Sequence, residues 1–302
     1  MTRRNSCGHC PGSHSGDRPC LASATAKARG WLLIEHPGPW PERVEQGPPG
    51  PAAITEAVRA ARAAGVRPQL IRRPGRRRGI PPVQVYVGYS HGERVWLEGR
   101  ELADPAELAD LDLAAVAAGT PPKFGEPVAD PLLLVCTHGK HNACCAQHGA
   151  PLARFLSERF APFVWETTHV GGDRFAANLV CLPHGVYYGA LDRDEAVRAV
   201  EAYLRGEVLL DRLRGRAGYP EPAQAAEHFV REHTGVRGVT AVTVESVSGT
   251  SPYHAVVVVG DRCYRIVVER VAQTDPCGRG CQENLETYVV RDLTLLNEAA
   301  LV

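Results

Sequence analysis

Long hydrophobic runs are missing from this chain. No apolar stretch approaches the roughly 20 residues that span a bilayer, and residues 1–28 are polar and lack the apolar core of a secretory signal, so no membrane association is expected and the cytoplasm is the expected location. Net charge is missing as well: 34 basic residues cancel 34 acidic ones, which leaves no overall field to attract nucleic acid. The one dense basic run, Arg72-Arg73-Pro74-Gly75-Arg76-Arg77-Arg78, carries no interleaved aromatics and reads as a solvated loop rather than a phosphate track. Three common catalytic signatures are also lacking, namely the Gly-x-x-x-x-Gly-Lys-Ser phosphate loop, the Gly-x-Ser-x-Gly elbow and the His-Glu-x-x-His zinc motif. Nucleotide hydrolysis, serine esterase chemistry and zincin proteolysis therefore have no sequence support.

Cysteine, by contrast, is plentiful. Ten cysteines in a chain expected in a reducing compartment point to metal binding or redox work rather than to a disulfide framework. Three of them, Cys136, Cys144 and Cys145, follow the apolar run Leu132-Leu133-Leu134-Val135. A polar cluster, His169-Val170-Gly171-Gly172-Asp173-Arg174-Phe175, comes shortly after. A strand that delivers one thiolate at its carboxyl end, a loop that delivers a second, and a later loop that brings imidazole and carboxylate make a plausible iron or zinc site.

The length of 302 residues accommodates two domains of ordinary size. Residues 1–30 form a Cys/His-rich tail without apolar periodicity. Residues 31–122 read as an α/β domain, with strands at Trp31 to Glu35, Val66 to Ile71 and Val83 to Tyr89 around an Ala-rich helix at 52–64. Proline and glycine between Gly119 and Pro131 mark a linker. Over residues 128–210 the expected order is strand (Leu132 to Cys136), helix (Ala150 to Phe160), strands at Phe163 to Thr167, Asn178 to Leu182 and Tyr187 to Gly189, then a helix at Asp194 to Arg205. That order is thioredoxin-like. Residues 215–302 read as an α+β extension, a helix near Ala223 to His233 packed on Val-rich antiparallel strands.

The strings Val135-Cys136-Thr137-His138-Gly139-Lys140, Ala143-Cys144-Cys145-Ala146, His169 through Asn178, and Leu182-Pro183-His184-Gly185-Val186-Tyr187-Tyr188-Gly189 resemble the sucrase/ferredoxin-like family, whose members include relatives of the fungal actin-patches-distal proteins. Trp31 through Trp40 is similar to the family's opening. The resemblance implies a thioredoxin-like ferredoxin domain, flanked here by the amino-terminal α/β domain and the carboxyl-terminal extension. It also implies a 2Fe-2S cluster held by two cysteines and a His-x-x-x-His motif, at positions matched by Cys136, Cys145, His169 and Asp173. Asp173 stands where the family has its second histidine, so either the carboxylate binds iron or Cys181 or His184 takes its place. Between the adjacent Cys144 and Cys145, the resemblance favours Cys145, whose spacing from Cys136 matches the family better.

Two further readings stay open beside the electron carrier. Cys136 with Cys144 or Cys145 could cycle as a thiol-disulfide oxidoreductase, or zinc could tie an interaction module without redox chemistry. An electron carrier also implies a redox partner protein. Sucrase activity has no support, because nothing singles out the two positioned carboxylates that glycoside hydrolysis needs. Cys7-Gly8-His9-Cys10, with His14 and Cys20, has the composition of a zinc knuckle, and Cys277 and Cys281 could offer two thiolates from a Gly-rich loop that reads equally as a plain hairpin connection. His138, His141 and His148 read as solvent-facing or backbone-bonded, and Cys263 as a small core residue.

Overall fold

The computed structural model describes residues 22–24, 28–75, 83–273 and 285–296. Cys7, Cys10, His14, Cys20, Cys277, Cys281 and the Arg76-Arg77-Arg78 part of the basic run lie outside the described residues.

The architecture is mixed α/β with a large curled sheet and a second, small one. Ten strands form the large sheet: β1 (Gly30–Glu35), β2 (Val66–Arg72), β3 (Val83–His91), β4 (Arg94–Leu102), β5 (Glu126–Pro127), β6 (Leu132–Cys136), β7 (Val164–Thr167), β8 (Leu179–Leu182), β9 (Val186–Tyr188) and β10 (Leu213–Arg216). Their spatial order is β10-β9-β8-β6-β7-β2-β1-β3-β4-β5. Four helices connect them: α1 (Ala52–Ala63), α2 (Leu113–Ala118), α3 (Ala143–Phe160) and α4 (Arg193–Leu204).

One topology occurs twice. In the first copy β1 pairs parallel with β2 across α1, then antiparallel with β3, which pairs with β4 before α2. The second copy repeats every step with β6, α3, β7, β8, β9 and α4. The copies meet edge to edge where β2 and β7 pair antiparallel, Ile71 opposite Thr167 and Arg72 opposite Glu166. The linker at Gly119 to Pro131 thus joins two parts of one continuous sheet.

β1 and β6 are buried along their whole length, and the reason lies in alternation and curl. Side chains alternate between faces along a strand, so Leu32, Ile34, Leu133 and Val135 face the helices. Trp31, Leu33, Leu132, Leu134 and Cys136 face the other way. There the sheet curls until Leu97 of β4 and Tyr187 of β9 join the same apolar cluster. A strand covered on both faces reads as a continuous apolar run.

The carboxyl-terminal sheet, β11 (Val242–Ser248), β12 (Tyr253–Val259), β13 (Arg262–Gln273) and β14 (Leu285–Leu296), is an antiparallel meander. It packs Val257, Ile266 and Val268 against Ala225, Ala226 and Val230 of α5 (Glu221–Thr234). Cys263 is a small buried residue at the start of β13.

Four of the elements differ from the sequence expectation. α3 begins seven residues before Ala150, because Asn142 caps it: the Asn142 side chain accepts from the Cys144 amide at 3.0 Å. Cys144 and Cys145 therefore lie in a helix's first turn and not in a loop. β4 and α2 complete the first copy, and β10 adds an edge strand beside β9. No helix among the described residues is long and apolar enough to cross a membrane.

Candidate metal centre

Cys136 is the last residue of β6, and its thiol points into the curl of the sheet, where it is 1% exposed. Cys145 comes from the first turn of α3 and is fully buried. His169 follows β7 by two residues and is half-buried. The Sγ atoms of the two cysteines and a ring nitrogen of His169 all lie within 4.8 Å of one another, with Cys145 Sγ 3.8 Å from His169 Nδ1. Two thiolates bound at about 2.3 Å to one tetrahedral ion stand roughly 3.8 Å apart. The spacing and the chemistry of this donor set, two free thiols and an imidazole, thus fit a thiophilic metal such as iron or zinc.

The two sulfurs titrate in opposite directions. The hydrogen bond from Cys145, reinforced by His169, holds Cys136 well below the usual thiol range despite the cost of its burial. Cys145 shares that bond, is buried beside the negative charge so created and faces Asp173, all of which push its thiol up. Cys136 is therefore the first of the two sulfurs to ionise, and a cation takes thiolates as ligands.

The neighbouring histidines divide their work. His138 is backbone-bonded at both nitrogens: Nε2 donates to the Pro41 carbonyl at 2.7 Å, and Nδ1 accepts from the His169 amide at 3.1 Å. Burial lowers its pKa, which suits this neutral tautomer. His141 is exposed, with its ring stacked on that of His169 at 3.9 Å between centroids. The first copy helps to position the site, since Trp40 lies edge-on to His138 and Arg72 lies over the Trp40 ring at 3.8 Å. Arg72 also pairs with the buried Glu166 of β7 at 2.8 Å, and Glu166 accepts from Thr137 Oγ1 at 3.0 Å.

Asp173 lies beside this group and outside the three-atom cluster. Its carboxylate accepts a short hydrogen bond from the Asn142 side chain, the same amide that caps α3. Cys181 faces the opposite side of the sheet from Cys136, in the core beneath α4, where burial raises its thiol. His184 is bonded through Nδ1 to the Tyr203 hydroxyl at 2.8 Å. Cys144 is disulfide-bonded, so Cys145 supplies the free thiol.

The loop carrying His169 and Asp173 depends on its two glycines, on Asn178 and on Arg214, of which the sequence did not mark the last. Gly171 and Gly172 have φ of +97° and +70°, a region that favours glycine, and a Cβ on Gly172 would run into the guanidinium of Arg214. Arg214, on β10 and 1% exposed, donates to the Gly171 carbonyl at 3.0 Å and to Asn178 Oδ1 at 2.7 Å. Asn178 in turn donates to the Gly172 carbonyl at 2.9 Å. No local motif flags an arginine some forty residues downstream.

The sucrase/ferredoxin-like family profile matches residues 21–215, a span that contains both copies of the repeated topology and every residue of the cluster. A protein from the yeast Meyerozyma guilliermondii, "Altered inheritance of mitochondria protein 32", is 29% identical over 101 residues, which cover 30% of this chain and 36% of that protein. The chain thus matches only about a third of that relative's length. No solved structure matches.

Proposed function

Because the chain belongs to the sucrase/ferredoxin-like family, we propose that it is an electron carrier whose residues 128–210 form a thioredoxin-like ferredoxin unit holding a 2Fe-2S cluster. The observation that carries this reading is the convergence of Cys136, Cys145 and His169 within 4.8 Å inside the matched segment. Cys136, Cys145 and His169 supply three ligands, and Asp173, whose charge reaches Cys145, supplies the fourth. When bound, such a cluster accepts and returns one electron, at a potential raised by neutral imidazole in place of thiolate. The chain's own part is to bury both sulfurs, fix the His169 loop through Arg214 and Asn178, and leave the His169 edge half-exposed as the route for the electron.

The hydrogen-bonded dithiol supports a second reading, in which Cys136 and Cys145 cycle between dithiol and disulfide. Zinc would suit the same donors and give no redox chemistry. Electron paramagnetic resonance of anaerobically purified, dithionite-reduced protein separates the three. A mixed-valent iron pair gives a signal that neither a dithiol nor a zinc site can give. A silent, iron-free sample that forms a Cys136–Cys145 disulfide would contradict the cluster.

A further inference from the structure

An open sheet edge presents unpaired amides and carbonyls, and proteins guard such edges with short strands, covers, charges or bulges. The large sheet follows that rule. β5 is two residues long; β10 is buried along its four residues, and its Arg214 carbonyl accepts from the Ser23 amide at 2.8 Å. In the carboxyl-terminal sheet, β11 is bulged between Val244 and Ser246 and exposes only Thr243, Glu245, Ser246 and Ser248. β14 is different. It runs for 12 residues and has β13 as its sole neighbour among the described residues. It also carries two of the three exposed large hydrophobic side chains found there, Val290 at 38% and Leu295 at 51%.

The strand complements itself. Val267 pairs with Asp292 and Val268 with Val290, so Arg291 is the extra residue of a bulge. That residue resets the alternation of faces. Tyr288, Val290, Leu293 and Leu295 all stand on the α5 side, where Tyr288 and Leu293 join the core and Val290 and Leu295 pair with the buried Val268 and Tyr264. Asp292 and Thr294 lie on the other side. So does Arg291, whose Nε donates to Glu269. Arg291 is 56% exposed, and the bond to Glu269 leaves both of its terminal nitrogens for a further carboxylate.

A two-fold axis through the bulge, perpendicular to the sheet, lays a second β14 antiparallel on the first. Residues opposite one another then share a face: Val290 meets Leu293 of the second copy, Tyr288 meets Leu295, and Arg291 meets Asp292, each pair occurring twice. Without the bulge, Val290 and Leu293 would point to opposite faces and no register could match them. We infer that two copies of this chain join edge to edge through β14, doubling the four-stranded sheet. A two-fold interface uses the same patch on both subunits. Self-complementarity is what such an interface requires, and a different partner protein would need none.

Sedimentation velocity of the full chain across the micromolar range tests the inference. A concentration-dependent dimer is expected. Val290→Lys and Leu295→Lys set a charge among the apolar cross-strand pairs, and each should raise the dissociation constant about tenfold or more with the circular dichroism spectrum unchanged. Thr243→Lys, on the β11 edge, should leave it as it was. Mixed Val290→Cys and Leu293→Cys chains should form on oxidation a disulfide between the two introduced thiols, which peptide mass spectrometry identifies. A monomer at every concentration overturns the inference, as does a dimer indifferent to both lysine variants. Hydrogen exchange then tells what takes the edge instead. In such a monomer, slow exchange at the β14 amides that do not bond β13 would mean that the chain covers its own edge, and fast exchange would leave the edge to a different protein. None of these readouts depends on the metal centre.

Discussion

Gly149 of α3 lies against the carbonyl of Cys136 so closely that a Cβ there would overlap the carbonyl oxygen. Helix and strand can approach this far only because the residue has no side chain, and the approach sets where the Cys136 thiol stands relative to Cys145. Gly149→Ala would ordinarily gain up to about 1 kcal/mol of helix propensity. Here the neighbour is backbone that cannot yield, so overpacking of about 1–3 kcal/mol prevails. The variant is expected to unfold at lower denaturant concentration than the wild type and to bind less metal. Equal or greater stability would show that the contact is slack.

Arg214 anchors the loop that carries His169 and Asp173, and its removal leaves Asn178 Oδ1 and the Gly171 carbonyl buried without that donor. Arg214→Ala should therefore cost about 1.5–3 kcal/mol, the range for buried hydrogen bonds made by a charged group. Arg214→Lys should recover only part of it, because an ammonium cannot reproduce the guanidinium fork. Denaturant midpoints of the two variants measure this. Lysine rescuing stability fully would mean that charge alone is needed there.

Asp173 stands where the family resemblance implies a second histidine. If its carboxylate is the fourth ligand, Asp173→His replaces a charged ligand by a neutral one and should raise the midpoint potential by on the order of 100 mV. Redox titration decides the matter. An unchanged potential in this variant would place Asp173 off the metal, held only by Asn142.

Stability should fall in acid in two steps. His91 is half-buried against Tyr219, and that burial, aided by Arg29, Arg216 and Arg94, lowers its pKa to about 4. Unfolded histidine titrates near about 6.5, so the unfolded chain takes up a proton that the fold refuses. This contribution is complete above that pH and is lost as pH falls toward 4. Glu227 adds the second step. Burial pushes its carboxyl up, but Arg216 and Arg231 together hold it below the usual carboxylate range. Its contribution is thus present above that range and lost below it. The denaturant midpoint should drop between pH 7 and pH 5 and drop further below pH 4.5. Burial lowers His184 to about 4 as well, so His91→Gln should shrink the first step without abolishing it, and a first step of equal size in that variant would show that His91 contributes nothing to it.

Much of the second copy was legible in sequence. β6 stands out as five consecutive buried apolar residues bounded by polar turns, and α4 starts with the capping box of Asp192 and Glu195. The early start of α3 was obscured because Gly149 and Pro151 look like loop residues, while the Asn142 cap that begins the helix precedes two cysteines of poor helix propensity. The repeat escaped notice because the copies share an order of elements and not their residues: Glu35 ends β1 where Cys136 ends β6. Cys136, Cys145 and His169 could be named from spacing and resemblance. Arg214 and Gly149 could not, since each matters only through a contact made by the folded chain.

The claim that Cys136, Cys145 and His169 hold an iron-sulfur cluster is tested most directly by iron and acid-labile sulfide analysis of anaerobically purified protein. Wild type, Cys136→Ala, Cys145→Ala and His169→Ala are compared with Cys181→Ala and Cys263→Ala as controls. About two irons per chain are expected in the wild type and both controls, with loss of iron and sulfide together in the other three. Full iron content in Cys136→Ala would contradict the assignment.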